Sequence, residues 1–136
     1  MTRSRVIRET AFRWQGVEPH AYKDVAAHHR GVTRHTLLGG EGRDPALDIE
    51  TRYFEVEPGG FTTLERHAHP HAVVVLRGRG EVVLDSVVES LTPFDVIYVA
   101  PWTTHQLRAA TDGVLGFLCV VPRERDRPQP VADGAE

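Results

Sequence analysis

From residue 31 onward the chain is cut into short β-branched runs by turn signals about every 8 to 12 positions, and no stretch between them sustains a helical period. "VTRHTLL" and "LDIETRYFEVE" come first, and "EPGG" closes the second with a proline followed by two glycines. "AVVVLRGRGEVVLDSVVESL" reads as two strands around Gly78 and Gly80 with a tight reversal near Asp85 and Ser86. A turn at Pro93, an apolar strand from Val96 to Ala100, a Pro-Trp-Thr connection, a strand carrying His105 and the run "GVLGFLCVVP" complete the series. Short strands at this spacing bury their apolar faces and protect their edges as an antiparallel sandwich or barrel, so the chain is predicted to be all-β.

The flanks read differently. Residues 1–30 carry isolated apolar anchors, Val6, Ile7, Phe12, Trp14, Val17 and Tyr22, with no helical repeat, which predicts an extended arm packing on the domain or on a partner. Residues 123–136 hold too much proline and charge to supply a packing face and are expected to form a flexible tail, or one draped on a neighbour. That leaves 31–122 as one barrel domain, and 136 residues suffice for its core.

A net charge of −3 offers no electrostatic footprint for nucleic acid or an anionic membrane, and neither partner is expected. No apolar run approaches the roughly 18 to 20 residues that span a bilayer, and the first residues lack the apolar core of a signal peptide, so a cytoplasmic location is expected. The single cysteine, Cys119, excludes an intramolecular disulfide and reads as a packing residue within "GVLGFLCVV".

Within "LERHAHPHAVVVLRGRG" the residues Glu65, His67, His69 and His71 occupy alternate positions. On a strand they share one face, with neighbours about 6.7 Å apart and residues four apart separated by about 13 Å. Ligand distances of roughly 2.0 to 2.2 Å from one ion therefore admit an adjacent pair, but a third ligand requires a bend. Pro70 is the expected bend, and His105 is the candidate from another strand. His20, His28, His29 and His35 are assigned no role. If the odd-numbered face points inward, Tyr53, Phe61, Val73, Val75 and Leu107 line an apolar cavity.

These residues resemble the first motif of small single-domain cupins: Gly, five residues, His-x-His, three or four residues, Glu, six residues, Gly. Gly59, Glu65, His67, His71 and Gly78 fit that spacing without a gap, with the two end ligands exchanged in type. The second motif is represented by Phe94, Ala100, Trp102, His105 and Ala109, of which His105 keeps its type, while Phe94 and Trp102 stand where glycine is usual. The resemblance implies an antiparallel double-sheet jelly-roll barrel holding one divalent transition-metal ion, Mn, Fe, Ni, Cu, Co or Zn. Carried over without a gap, the ligands are Glu65, His67, His71 and His105; reading "HAH" as the His-x-His pair gives His67, His69, His71 and His105. Whichever of Glu65 and His69 is not a ligand is the natural proton carrier.

Two function classes remain. In one, a metalloenzyme acts on a small oxygenated molecule with dioxygenase- or isomerase-type chemistry; in the other, a non-catalytic module binds a small ligand or a metal. The ordinary histidine pKa places loss of metal near pH 6. Exposed strand edges and the N-terminal arm predict a homodimer.

Overall fold

The protein is described here by a computed structural model covering residues 3–23, 28–40 and 42–132; the other positions of the expected arm and tail lie outside the described residues. The strands are β1 (Glu9–Thr10), β2 (Arg13–Trp14), β3 (His20–Ala21), β4 (Arg30–Leu38), β5 (Ile49–Phe61), β6 (Glu65–Arg66), β7 (His71–Arg77), β8 (Gly80–Leu84), β9 (Val87–Leu91), β10 (Val96–Val99), β11 (His105–Ala109), β12 (Leu115–Pro122) and β13 (Gln129–Pro130). All pairings are antiparallel, and β3 to β13 form one continuous eleven-stranded sheet. No helix among the described residues is long and apolar enough to cross a membrane.

The sheet curls into two walls. One runs β3-β4-β5-β12-β7-β10 and the other β9-β8-β11-β6-β13. The 13 residues of β5 join them: its body pairs with β4 and β12, and its last residue, Phe61, pairs with Arg108 of β11. The crossing passes through Gly60, where a Cβ would sit 2.4 Å from the Arg30 carbonyl oxygen, so the backbones approach as closely as they do because no side chain intervenes. Period-two alternation then aims Val32, Phe54, Val56, Val73, Val75, Val99, Leu115 and Phe117 from the first wall at Val82, Leu91, Leu107 and Ala109 from the second. This is the all-β jelly-roll barrel implied by the strand pattern and the motif resemblance.

The arm packs on its own domain. β1 and β2 form a hairpin whose two turn residues, Ala11 and Phe12, both have positive φ, the backbone of a type I′ turn. Phe12 and Trp14 rest on Tyr53 with ring centroids 5.9 and 4.8 Å away, and Arg77 lies 4.4 Å over the Phe12 ring. Arg13 ion-pairs with Glu55 at 2.8 Å. Tyr53 is thereby fully buried on the outside of the first wall. The C-terminal segment closes the opposite side through polar contacts: β13 pairs with β6, and the Val131 N–H donates to the Leu64 carbonyl at 2.8 Å.

Candidate metal centre

Glu65 on β6 stands opposite His105 on β11, so neighbouring strands aim a carboxylate and an imidazole into the same interior. Pairing stops after Arg66 and resumes at His71, and Pro70 closes the unpaired interval, where the sequence expects a bend. The break brings His71 back toward His67. Ligand atoms of Glu65, His67, His71 and His105 all lie within 4.8 Å of one another, a cluster that could hold a metal ion. Glu65, His67 and His105 are buried, and His71 is half-buried.

The hydrogen bonds fix which atoms are available. His67 Nδ1–H donates to the His69 carbonyl at 2.6 Å, and His105 Nδ1–H donates to the Thr103 carbonyl at 2.8 Å; a carbonyl can only accept, so Nε2 is left bare on both rings. His71 Nδ1 lies 2.9 Å from Cys119 Sγ, and its Nε2 faces His67 Nε2 at 2.9 Å. Two nitrogens about 2.1 Å from one ion and at right angles to it are about 3.0 Å apart, so this spacing fits a shared cation. Glu65 Oε2 lies 3.8 Å from His67 Nε2 and 4.0 Å from His105 Nε2, while Oε1 is ion-paired with Lys23. One carboxylate oxygen thus faces the imidazoles, and a lysine holds the other.

Electrostatics favour neutral imidazoles. Burial, then the neighbouring His105 and His69, push His67 down to about 4. Burial and then His105 push His71 down to about 2, and burial lowers His105 against the opposing pull of the Thr103 carbonyl and Glu65. Neutral imidazoles are the form that binds a metal, and the borderline donor set of three nitrogens and one oxygen fits a divalent transition ion.

His69 is placed differently from the other four. Its ring stacks on His67 with centroids 3.7 Å apart and planes 3° from parallel, whereas i, i+2 neighbours on a regular strand are about 6.7 Å apart. Asp126 accounts for that position, accepting from the Ala68 N–H at 2.7 Å, the His69 N–H at 3.0 Å and His69 Nδ1–H at 2.8 Å. The Ala68 N–H and the His69 ring hold the Asp126 carboxyl far below the usual carboxylate range. His69 lies outside the four-residue cluster and lines the adjoining cavity, with Nε2 left as its free acceptor atom. Sequence reasoning had no route to Asp126, which is 57 residues from its partner in a segment with no apolar pattern.

That cavity, about 230 Å³, is also lined by Phe54, Val73, Val99, Leu107 and Phe117. Val73 and Leu107 are where the sequence expects them. Tyr53, Phe61 and Val75 do not line the cavity: Val75 packs in the core, while on β5 the even-numbered residues Arg52 and Phe54 face inward, and Tyr53 faces the arm. Cys119 packs in the core as expected and also reaches the cavity wall, where burial raises its pKa. Trp102 is half exposed and does not line the cavity; its N–H donates to the His67 carbonyl at 2.8 Å.

The sequence profile of the cupin domain matches residues 52–121. The chain is 47% identical to 1-methylthio-D-xylulose 5-phosphate methylsulfurylase of Rhodospirillum rubrum over 122 residues, covering 89% of this chain and 76% of that protein. Among solved structures, a cupin-2 domain protein from Rhodospirillum rubrum is 45% identical with a TM-score of 0.81, covering 93% of this chain and 82% of that one. A cupin 2 conserved barrel domain protein from Rhodopseudomonas palustris is 45% identical with a TM-score of 0.86, covering 95% and 88%. With the jelly roll, the spacing of both motifs and these likenesses together, the chain belongs to the cupin family.

Proposed function

We propose that this protein is a metal-dependent enzyme that removes the methylsulfur group from a methylthio-substituted ketose phosphate. The observation that carries the reading is the four-residue cluster beside a cavity, in a chain 47% identical over most of its length to a methylsulfurylase of 1-methylthio-D-xylulose 5-phosphate. It narrows the expectation of a small oxygenated substrate to an α-hydroxyketone bearing sulfur at C1.

Glu65, His67, His71 and His105 would hold the ion, which when bound supplies Lewis acidity toward the ketone oxygen and its neighbouring hydroxyl. The chain's own groups do the rest. Val73, Val99, Leu107 and Phe117 keep water from the apolar methylthio end. The bond broken is C1–S: its electron pair stays with C1, the methylsulfur passes to the sulfur of an acceptor thiol, and a proton completes the methyl group at C1. His69, its Nδ1–H held by Asp126, presents a bare Nε2 at the cavity wall that takes the proton released by the acceptor thiol and delivers it to C1.

The test is to load the protein with Mn(II), Fe(II), Co(II), Ni(II) or Zn(II) and supply 1-methylthio-D-xylulose 5-phosphate with dithiothreitol. Mass spectrometry should show loss of the methylthio group from the sugar, with methanethiol and cyclic oxidised dithiothreitol formed as the mixed methyl disulfide collapses. Metal-loaded protein that binds the sugar phosphate without converting it would leave a binding module in place of the enzyme.

A further inference from the structure

The metal cluster accounts for one part of the cavity wall, and the first wall of the barrel supplies a second feature that an ion does not require. Arg34 of β4, Arg52 of β5 and Arg125 of the C-terminal segment all line the same cavity. Arg52 is 8% exposed. Its Nη2 lies 3.7 Å from Cys119 Sγ, itself 2.9 Å from His71 Nδ1, so a single sulfur separates this guanidinium from a candidate ligand. On its other side Arg52 Nε is 3.8 Å from Glu50 Oε1, beyond hydrogen-bonding distance, and Arg125 Nη2 is 3.4 Å from the same oxygen. The Nε atoms of Arg34 and Arg52 are buried without a hydrogen-bond partner among the described residues.

Register explains the convergence. Arg34 pairs with Phe54, two residues along β5 from Arg52, which puts Arg34 and Arg52 diagonally adjacent on the inner face. Burial and then the neighbouring Arg52 depress Arg34, as expected for a guanidinium facing another. A second cavity of about 430 Å³ shares Arg34 and Arg125 with the first and adds Arg43, His20 and Glu50, so the cationic wall continues beyond the first cavity. Glu50 is the carboxylate within reach of both Arg52 and Arg125: it accepts from Arg125 at 3.4 Å and stands 3.8 Å from Arg52 Nε, too far for a hydrogen bond. Arg125 also donates to the Pro122 and Arg123 carbonyls, but like charges gathered in a partly buried place, with the Nε donors of Arg34 and Arg52 unfilled, are costly unless an anion completes them.

We propose that Arg34, Arg52 and Arg125 form an anion subsite for a phosphate monoester, fixing one end of the substrate while the metal cluster holds the other. The planar forks of guanidinium match the oxygens of phosphate, and three cations around one carboxylate suit a dianion better than a single carboxylate ligand. The identity of the sugar rests on the functional reading above; the place of the phosphate rests on the arginines.

The test compares D-xylulose 5-phosphate with D-xylulose by calorimetric titration of the metal-loaded protein. The phosphate should improve affinity by about a hundred-fold or more, and Arg34→Gln and Arg125→Gln should each remove roughly ten-fold of that gain while leaving metal content unchanged. Arg52→Gln could fail to fold because the residue is buried, so Arg52→Lys, which keeps the charge and loses the fork, is measured beside it. Equal affinity for the two sugars, or unchanged phosphate preference in the Arg34 and Arg125 variants, would overturn the subsite. Turnover of the methylthio substrate with unchanged KM in those variants would keep the reaction and remove the subsite. Arginine-dependent phosphate preference without turnover would do the reverse.

Discussion

His67 Nε2 and His71 Nε2 face each other 2.9 Å apart, and the Nδ1 of His67 is already committed to a carbonyl. With His71 Nδ1 against Cys119 Sγ, the two Nε2 atoms are turned toward one point, an arrangement that fits a shared cation. The purified protein is therefore expected to take up close to one divalent transition ion per chain, measured by elemental analysis. His67→Ala and His105→Ala should lose most of it, and Glu65→Gln should weaken binding by about ten-fold or more in a chelator competition. His69→Ala should retain the ion. If His69→Ala loses metal and Glu65→Gln keeps it, the ligand set that includes His69 is the correct one.

The same burial sets a pH dependence. In the unfolded chain a histidine takes its proton near 6.5, whereas His67 does so near 4 in the fold and His71 near 2. Between these values the unfolded state binds more protons, so stability rises with pH across the window and is lost as pH falls below about 6.5. The metal-free protein should melt roughly 5 °C or more lower at pH 5 than at pH 7. A bound ion acts in the same direction, and because the imidazoles stay neutral in the fold, metal loss should begin below the pH of 6 that unperturbed histidines imply. A melting temperature flat from pH 7 to pH 5 would contradict these depressed values.

The alternating histidines and the bend at Pro70 were legible because motif spacing and strand period act over short distances, while His105, 40 residues from Glu65, was legible as a candidate because it keeps its type in the second motif. The facing of β5 was not, because both of its faces are buried: Phe54 meets the core, while Tyr53 is covered by Phe12 and Trp14. Period two shows that two sets exist on such a strand and cannot say which meets the cavity. Asp126 and Lys23 were illegible for another reason. Each reaches the site through polar bonds alone across 42 or more residues, and no local pattern encodes that.

Asp126 makes a prediction that separates positioning from ligation. Its carboxylate accepts two backbone N–H groups and the His69 ring but lies outside the ligand cluster. Asp126→Asn keeps an acceptor for one N–H and loses the charge that orients His69, so turnover of the methylthio substrate should fall about ten-fold or more with a smaller change in metal affinity. Asp126→Ala should loosen residues 67–70 further and reduce both. Equal loss of metal and of turnover in Asp126→Asn would assign it to holding the ligands alone.

The last prediction concerns the two motif glycines that this chain replaces. In the turn closed by Asp95 N–H donating to the Thr92 carbonyl, Pro93 precedes Phe94 at φ 75°; in the turn closed by Thr103 N–H donating to the Ala100 carbonyl, Pro101 precedes Trp102 at φ 65°. Proline second and a positive φ third is the type II pattern, which favours glycine in the third place. An L-residue held there costs about 1 to 2 kcal/mol, partly offset in glycine by its greater freedom when unfolded. Phe94 is 78% exposed and gives up little packing. Phe94→Gly should therefore raise the melting temperature by roughly 2 to 5 °C. Trp102→Gly should gain less, since Trp102 is 52% exposed and buries more surface, and should leave metal binding intact because its contact with the His67 carbonyl is made by the backbone N–H. A Phe94→Gly protein that melts lower than the parent would show that the phenylalanine ring contributes packing outweighing the strain of its backbone.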